Sequence, residues 1–213
     1  MKKCLDRVQI MTEREAQIRD DFFIRFFDFI PYYIKPNHIT TVRFVLSWLL
    51  FFPNILSWVT AFWIVIIGGI TDLIDGVLAR KRNQVTLFGK CYDPVSDQLL
   101  AFGILWYLFF SKIIGLSLIK GILIPESLII IYIIWSLSVT GIKRISVNVF
   151  GRIKFGLYAF GFALIFLAQT IHQSILFHRL GILLIIIGIV FSWISQFFYL
   201  SFLYTYTKEL KKH

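Results

Sequence analysis

The chain has 213 residues, 58% of them hydrophobic, with a mean hydropathy of +0.77 and a formal net charge of +10. That much apolar surface is more than one water-soluble core of this length can hide, which excludes a soluble globular domain and leaves one polytopic membrane domain. The surplus of Lys and Arg flanks apolar runs and forms no continuous basic face, which argues against nucleic acid as a partner.

Cys4 and Cys91 are the only cysteines, too few for a disulfide framework or a structural zinc site. Residues 1–28 are dense in charge and no apolar stretch precedes Cys4, so no cleavable signal peptide is expected. Residues 1–35 are expected to form a cytoplasmic, interfacial segment and 36–213 the membrane domain. Within 11–35, Ile18, Phe22, Phe23, Phe26, Phe29 and Ile30 recur at helical spacing, while Arg19, Asp20, Arg25 and Asp28 punctuate the other face. This pattern predicts an amphipathic helix lying among lipid headgroups; an amphipathic helix packed on the bundle fits equally well.

Six membrane spans are predicted near 38–54, 57–80, 91–111, 122–143, 153–173 and 179–205, each around the 20 or so residues needed to cross a bilayer. The fold expected is therefore all-α and integral to the membrane, with six transmembrane helices after the N-terminal interfacial helix. Pro125 is placed near the start of the fourth span, where proline is best tolerated. Basic residues concentrate before the first span up to Arg43, between spans two and three (Arg80, Lys81, Arg82, Lys90), between four and five (Lys143, Arg144, Arg152, Lys154) and in the tail. The opposite side keeps Lys112, Lys120 and Arg179. Both termini are thus expected in the cytoplasm. Glu126 reads as a solvated residue at the far edge of span four, and His172 and His178 as interfacial loop residues rather than a metal pair.

The informative stretch runs from Thr71 to Asp97, T-D-L-I-D-G-V-L-A-R-K-R-N-Q-V-T-L-F-G-K-C-Y-D-P-V-S-D. Carboxylates at membrane-helix depth are costly and face a cavity or a partner where they occur. Asp72 and Asp75 share a helix face three residues apart, and Asp93 and Asp97 share one four residues apart. An antiparallel return between the two helices brings both pairs together, where they repel unless a positive group lies between them. Oxygen ligands without a nearby histidine suit hard divalent cations, Mg²⁺ or Mn²⁺. Two such ions could bridge a pyrophosphate, and one carboxylate could take the proton of an attacking hydroxyl. Gly76 and Ala79 leave room for a ligand near the backbone, Gly89 relieves crowding at re-entry, and Arg80 can offer a fork of donors to a phosphate. A cation transporter using the same four carboxylates is the reading from another class, but it does not account for Gly76, Ala79, Arg80 and Gly89.

The pattern D-x2-D-G-x2-A-R-x8-G-x3-D-x3-D, filled by Asp72, Asp75, Gly76, Ala79, Arg80, Gly89, Asp93 and Asp97, resembles the signature of the CDP-alcohol phosphatidyltransferase family, most of all its phosphatidylglycerophosphate synthase-type members. P-N-H-I-T-T-V-R at 36–43 is similar to the opening of that family's first membrane helix. The resemblance implies two divalent ions held by Asp72, Asp75, Asp93 and Asp97. It implies a CDP-linked lipid donor such as CDP-diacylglycerol and Asp97 as general base on an acceptor hydroxyl, with CMP released at the cytoplasmic leaflet. It also implies nucleotide or donor contacts at Asn37, Thr40, Gly76, Ala79, Arg80, Thr86 and Gly89, and a homodimer. V-N-V-F-G-R-I-K-F at 147–155 resembles the family's G-K-x-K stretch, so Lys143, Arg144, Arg152 and Lys154 are candidates for an acceptor phosphate; the same cations also satisfy topology. Glycerol 3-phosphate is the leading acceptor, with inositol phosphate or another polar alcohol as the alternative. Gln98 stands where many glycerophosphate-type relatives carry lysine, and Phe155 where a small hydroxyl residue is common.

Overall fold

The computed structural model describes residues 36–81, 87–140, 149–171 and 174–210. Regular structure among the described residues is α-helical throughout: α1 (Pro36–Leu49), α2 (Trp58–Lys81), α3 (Leu87–Phe110), α4 (Leu116–Thr140), α5 (Val149–Thr170) and α6 (Ile175–Leu210). Each overlaps one predicted span. The interfacial helix expected within 11–35 lies outside the described residues.

Helix boundaries follow local chemistry. Pro36 opens α1 at a position where its missing N–H costs nothing. α1 stops at Leu49, short of the predicted 54. Leu50 and Phe51 donate to the carbonyls three residues back, at 3.2 Å each, a tightened turn just ahead of Pro53. α3 ends in a Schellman motif: Ile113 N donates to Leu108 O at 3.0 Å and Lys112 N to Phe109 O at 3.0 Å. Lys112 adopts the left-handed conformation this motif needs, with φ of 58°. α4 begins six residues earlier than predicted, which places Pro125 inside the helix rather than at its start. Pro125 is fully buried there, and its carbonyl accepts a hydrogen bond from the Gln196 amide of α6. A tertiary partner thus satisfies backbone near the interruption.

The described residues form two compact units. The first contains α1 and Ile64–Gly103; the second contains Phe52–Trp63 and Ile104 onward. In the first, Gly68 of α2 lies against Leu100 of α3, and Gly103 of α3 lies against Leu50 and the Ser47 carbonyl of α1. In the second, α5 and α6 approach backbone to backbone at Gly161 and Gly181, where a Cβ on Gly181 would stand 2.7 Å from the Gly161 carbonyl oxygen. Trp58, Tyr107 and Phe166 form an aromatic cluster in the same unit, and the Tyr107 hydroxyl donates to the Leu56 carbonyl at 3.1 Å.

By length and composition, α5 and the Ile175–Phe198 part of α6 are apolar enough to cross a membrane. Among the described residues, Trp58–Asp72 of α2 and Val95–Phe110 of α3 are also apolar. Large side chains such as Ile55, Phe160 and Phe197 are more than two-thirds exposed, at 81%, 71% and 72%. An exterior of this kind suits hydrocarbon rather than water.

Candidate active site

The first unit carries three of the four signature carboxylates as described side chains. Its organising element is α1, whose buried face runs through Thr40, Arg43 and Ser47 and continues to Leu50 in the turn beyond, each no more than 1% exposed. Steps of three and four residues put these on one side of a helix. Three of the four are polar, so this face must meet polar partners. The partners are on α2 and α3.

Arg43 Nη1 donates to Asp72 Oδ1 at 2.7 Å, and Nη2 lies 2.9 Å from Asp97 Oδ1. Its Nε donates to Ser96 Oγ at 3.1 Å. One guanidinium therefore ties α1 to α2 at Asp72 and to the first half of α3. Ser96 is fully buried, and its hydroxyl also reaches the Thr40 carbonyl at 3.5 Å. The Thr40 hydroxyl donates to Asp93 Oδ1 at 3.0 Å. The rings of Phe44 and Tyr92 pack beside this junction with centroids 5.3 Å apart. Asp72, Asp93 and Asp97 are thus all addressed by α1.

Sequence reasoning gave Arg43 to topology. The structure corrects that: the side chain is fully buried and paired with two carboxylates, because a charge withdrawn from water needs counter-charges. Arg43 and Ser96 are the residues of this site that the sequence reading missed. Ser96 sits in an unspecified position of the signature, and its role shows only when α1 packs against α3.

Of the other predicted residues, Asp75, Gly76, Ala79 and Arg80 lie on α2 and Gly89 on α3, with side chains outside the described set, as is that of Asn37 on α1. Thr86, Lys143 and Arg144 lie outside the described residues. Arg152 is exposed in the first turn of α5. Lys154, two residues on, is buried in the second unit, with Nζ 2.6 Å from Glu126 Oε1 of α4 and 3.4 Å from Ser192 Oγ of α6. Ser192 also donates to Glu126 Oε1 at 3.3 Å. Glu126 is therefore not a solvated edge residue. The earlier start of α4 carries it inward, where Lys154 neutralises it. His178 stands in the first turn of α6 rather than in a loop, and His172 lies outside the described residues.

The donors converging in the first unit are carboxylate oxygens, the set that hard divalent cations prefer. Asp72 and Asp97 keep 51% and 49% of their side-chain surface open, so their oxygens can be reached from outside. Among the described residues no three His, Cys, Asp or Glu are grouped as a ready metal site, and the Asp75 side chain is not among those residues. The chemistry of the donor set fits Mg²⁺ or Mn²⁺.

A family model described as CDP-alcohol phosphatidyltransferase matches residues 33–198, which include every residue placed above. A CDP-diacylglycerol–glycerol-3-phosphate 3-phosphatidyltransferase of Rickettsia typhi is 28% identical over 189 residues, 84% of this chain and 97% of the relative. The Bacillus subtilis protein of the same name is 34% identical over 97 residues, 42% of this chain and 45% of its own. A CMP-forming cardiolipin synthase of Streptomyces coelicolor is 30% identical over 73 residues, 34% of each chain. With the signature complete and the match spanning most of its length, this chain belongs to the CDP-alcohol phosphatidyltransferase family.

Proposed function

We propose that this protein transfers a phosphatidyl group from CDP-diacylglycerol to glycerol 3-phosphate, releasing CMP, as a step of phospholipid synthesis. The observation that carries the reading is the complete eight-residue signature within a chain matched over 84% of its length by relatives bearing that activity in their names. The acceptor hydroxyl oxygen forms a new bond to the phosphorus that carries diacylglycerol. The bond between that phosphorus and the CMP oxygen breaks, and CMP leaves with the electron pair. The hydroxyl proton passes to the Asp97 carboxylate, which is half open to its surroundings. Asp72, Asp75, Asp93 and Asp97 would hold two Mg²⁺ or Mn²⁺ ions, whose chemistry is to offset charge on the pyrophosphate and the leaving phosphate. Asn37, Thr40, Gly76, Ala79, Arg80, Thr86 and Gly89 are assigned to the CDP-lipid, and Thr40 would serve it while holding Asp93. Lys143, Arg144, Arg152 and Lys154 are assigned to the acceptor phosphate by charge, with Lys154 exchanging Glu126 for that phosphate.

The protein is further read as an integral-membrane homodimer with six spans, cytoplasmic termini and its site at the cytoplasmic leaflet. The basic segments around the carboxylates and the apolar helix exteriors support that placement. The test is CMP release by the purified chain in detergent with CDP-diacylglycerol and Mg²⁺ or Mn²⁺, offering glycerol 3-phosphate, inositol phosphate, inositol and serine singly. Metal-dependent release with glycerol 3-phosphate alone is expected, and D97N should abolish it while sparing CDP-lipid binding. Release with a different acceptor would move the assignment within the family. No release from folded protein with any of the four would overturn it.

A further inference from the structure

We infer that Arg43 is the resident counter-cation of the carboxylate cluster, holding Asp72 and Asp97 together while no metal ion is bound and competing with the ion that binds there. The inference rests on the reading of these carboxylates as a divalent-cation site. Three observations carry it. First, Asp72 and Asp97 come from different helices, and like charges brought together need a positive group to hold them there. Arg43 reaches one oxygen of each, at 2.7 and 2.9 Å. Second, the guanidinium is oriented as well as charged. Its third nitrogen donates to the buried Ser96 hydroxyl at 3.1 Å, and the Arg43 carbonyl accepts from Ser47 Oγ at 2.7 Å. A planar fork with two directed hydrogen bonds and a third nitrogen 2.9 Å from a carboxylate oxygen fixes a spacing that a lysine ammonium, a single point charge, does not. Third, the exposure is asymmetric. Arg43 is fully buried, whereas Asp72 and Asp97 are 51% and 49% open, so the guanidinium braces the carboxylates from the protein side and an incoming ion meets them from the open side.

Two consequences follow. The ion and the guanidinium carry the same sign and address the same carboxylates, so each weakens the hold of the other. And Arg43 itself loses two counter-charges when Asp72 and Asp97 are neutralised, which is costly for a buried cation. Arg43 is therefore a positioning residue, and its signature is a loss that depends on the two carboxylates.

The test uses the full chain in detergent. Thermal unfolding in chelator would be measured for the wild type, R43Q, D72N/D97N and the triple variant, followed by Mn²⁺ titration read from the free-ion electron paramagnetic resonance signal. R43Q should lower Tm in the native background, and in the D72N/D97N background it should lower Tm by clearly less. Equal losses in both backgrounds would mean that Arg43 only packs, and would overturn the inference. R43Q should bind Mn²⁺ about tenfold more tightly than the wild type, since a like charge beside the site is gone; equal or weaker binding would overturn the competition. If R43Q does not fold, R43K takes its place in the same cycle, with a loss in the native background that shrinks in D72N/D97N. Coupling in the cycle with no Mn²⁺ bound by any variant would overturn the competition and the metal reading together. Mn²⁺ binding without coupling would overturn the role of Arg43 alone.

Discussion

Lys154 and Glu126 meet at 2.6 Å with the ammonium 2% and the carboxylate 28% exposed, so neither can simply turn to water when its partner is lost. Substituting Glu126→Ala leaves a buried cation, and stability should fall by about 3–5 kcal/mol. The double substitution E126L/K154M removes both charges together and should cost much less. Unfolding of the three chains in denaturant checks this, and equal losses for single and double variants would refute the pairing. Legibility at this scale was uneven. The carboxylates were readable because Asp72, Asp75, Asp93 and Asp97 interrupt apolar runs at fixed spacing, which few other functions require. Arg43 and Glu126 were not. A lone charge near a span end has the same sequence signature whether it faces water or a partner on a distant helix.

Lys112 shows how an element boundary can escape a sequence reading. The Schellman end of α3 calls for a left-handed residue, ordinarily glycine, and this chain uses lysine at φ 58°. K112G should relieve the strain and raise stability by about 0.5–1 kcal/mol, the penalty for a Cβ offset in part by added backbone freedom in the unfolded chain; a fall on thermal unfolding would count against the motif. The α5–α6 contact makes the opposite demand. A methyl at Gly181 would meet the Gly161 carbonyl, a backbone atom that cannot rotate away, so G181A should cost about 1–3 kcal/mol by the usual penalty for overpacking. Helix number and order were legible here, since each predicted span overlaps one observed helix. The start of α4 was not: Pro125 reads as a boundary, yet buried packing and the Gln196 amide keep it in a helix interior.

For the whole molecule, the proposed topology makes a directional claim. Lys112, in the turn after α3, and Arg152, at the start of α5, should face opposite sides of the bilayer. With Cys4 and Cys91 changed to serine, K112C should react with a membrane-impermeant maleimide on intact cells, and R152C only after permeabilisation. Labelling of both from the same side would reject the six-span arrangement. Six apolar runs are legible from hydropathy, and a bilayer requires each crossing to be such a run.

By itself, the sequence determined the family and the α-helical class and singled out the four carboxylates as candidates, because each reading depends on residue types at short, fixed separations along the chain. Only the tertiary structure decided that α1 supplies the charge between Asp72 and Asp97, that Thr40 holds Asp93, and that Glu126 neutralises Lys154. These pairings join residues 28 to 54 positions apart. At such separations helical periodicity carries no information, and the partner of a buried charge is set by which helix faces close on each other.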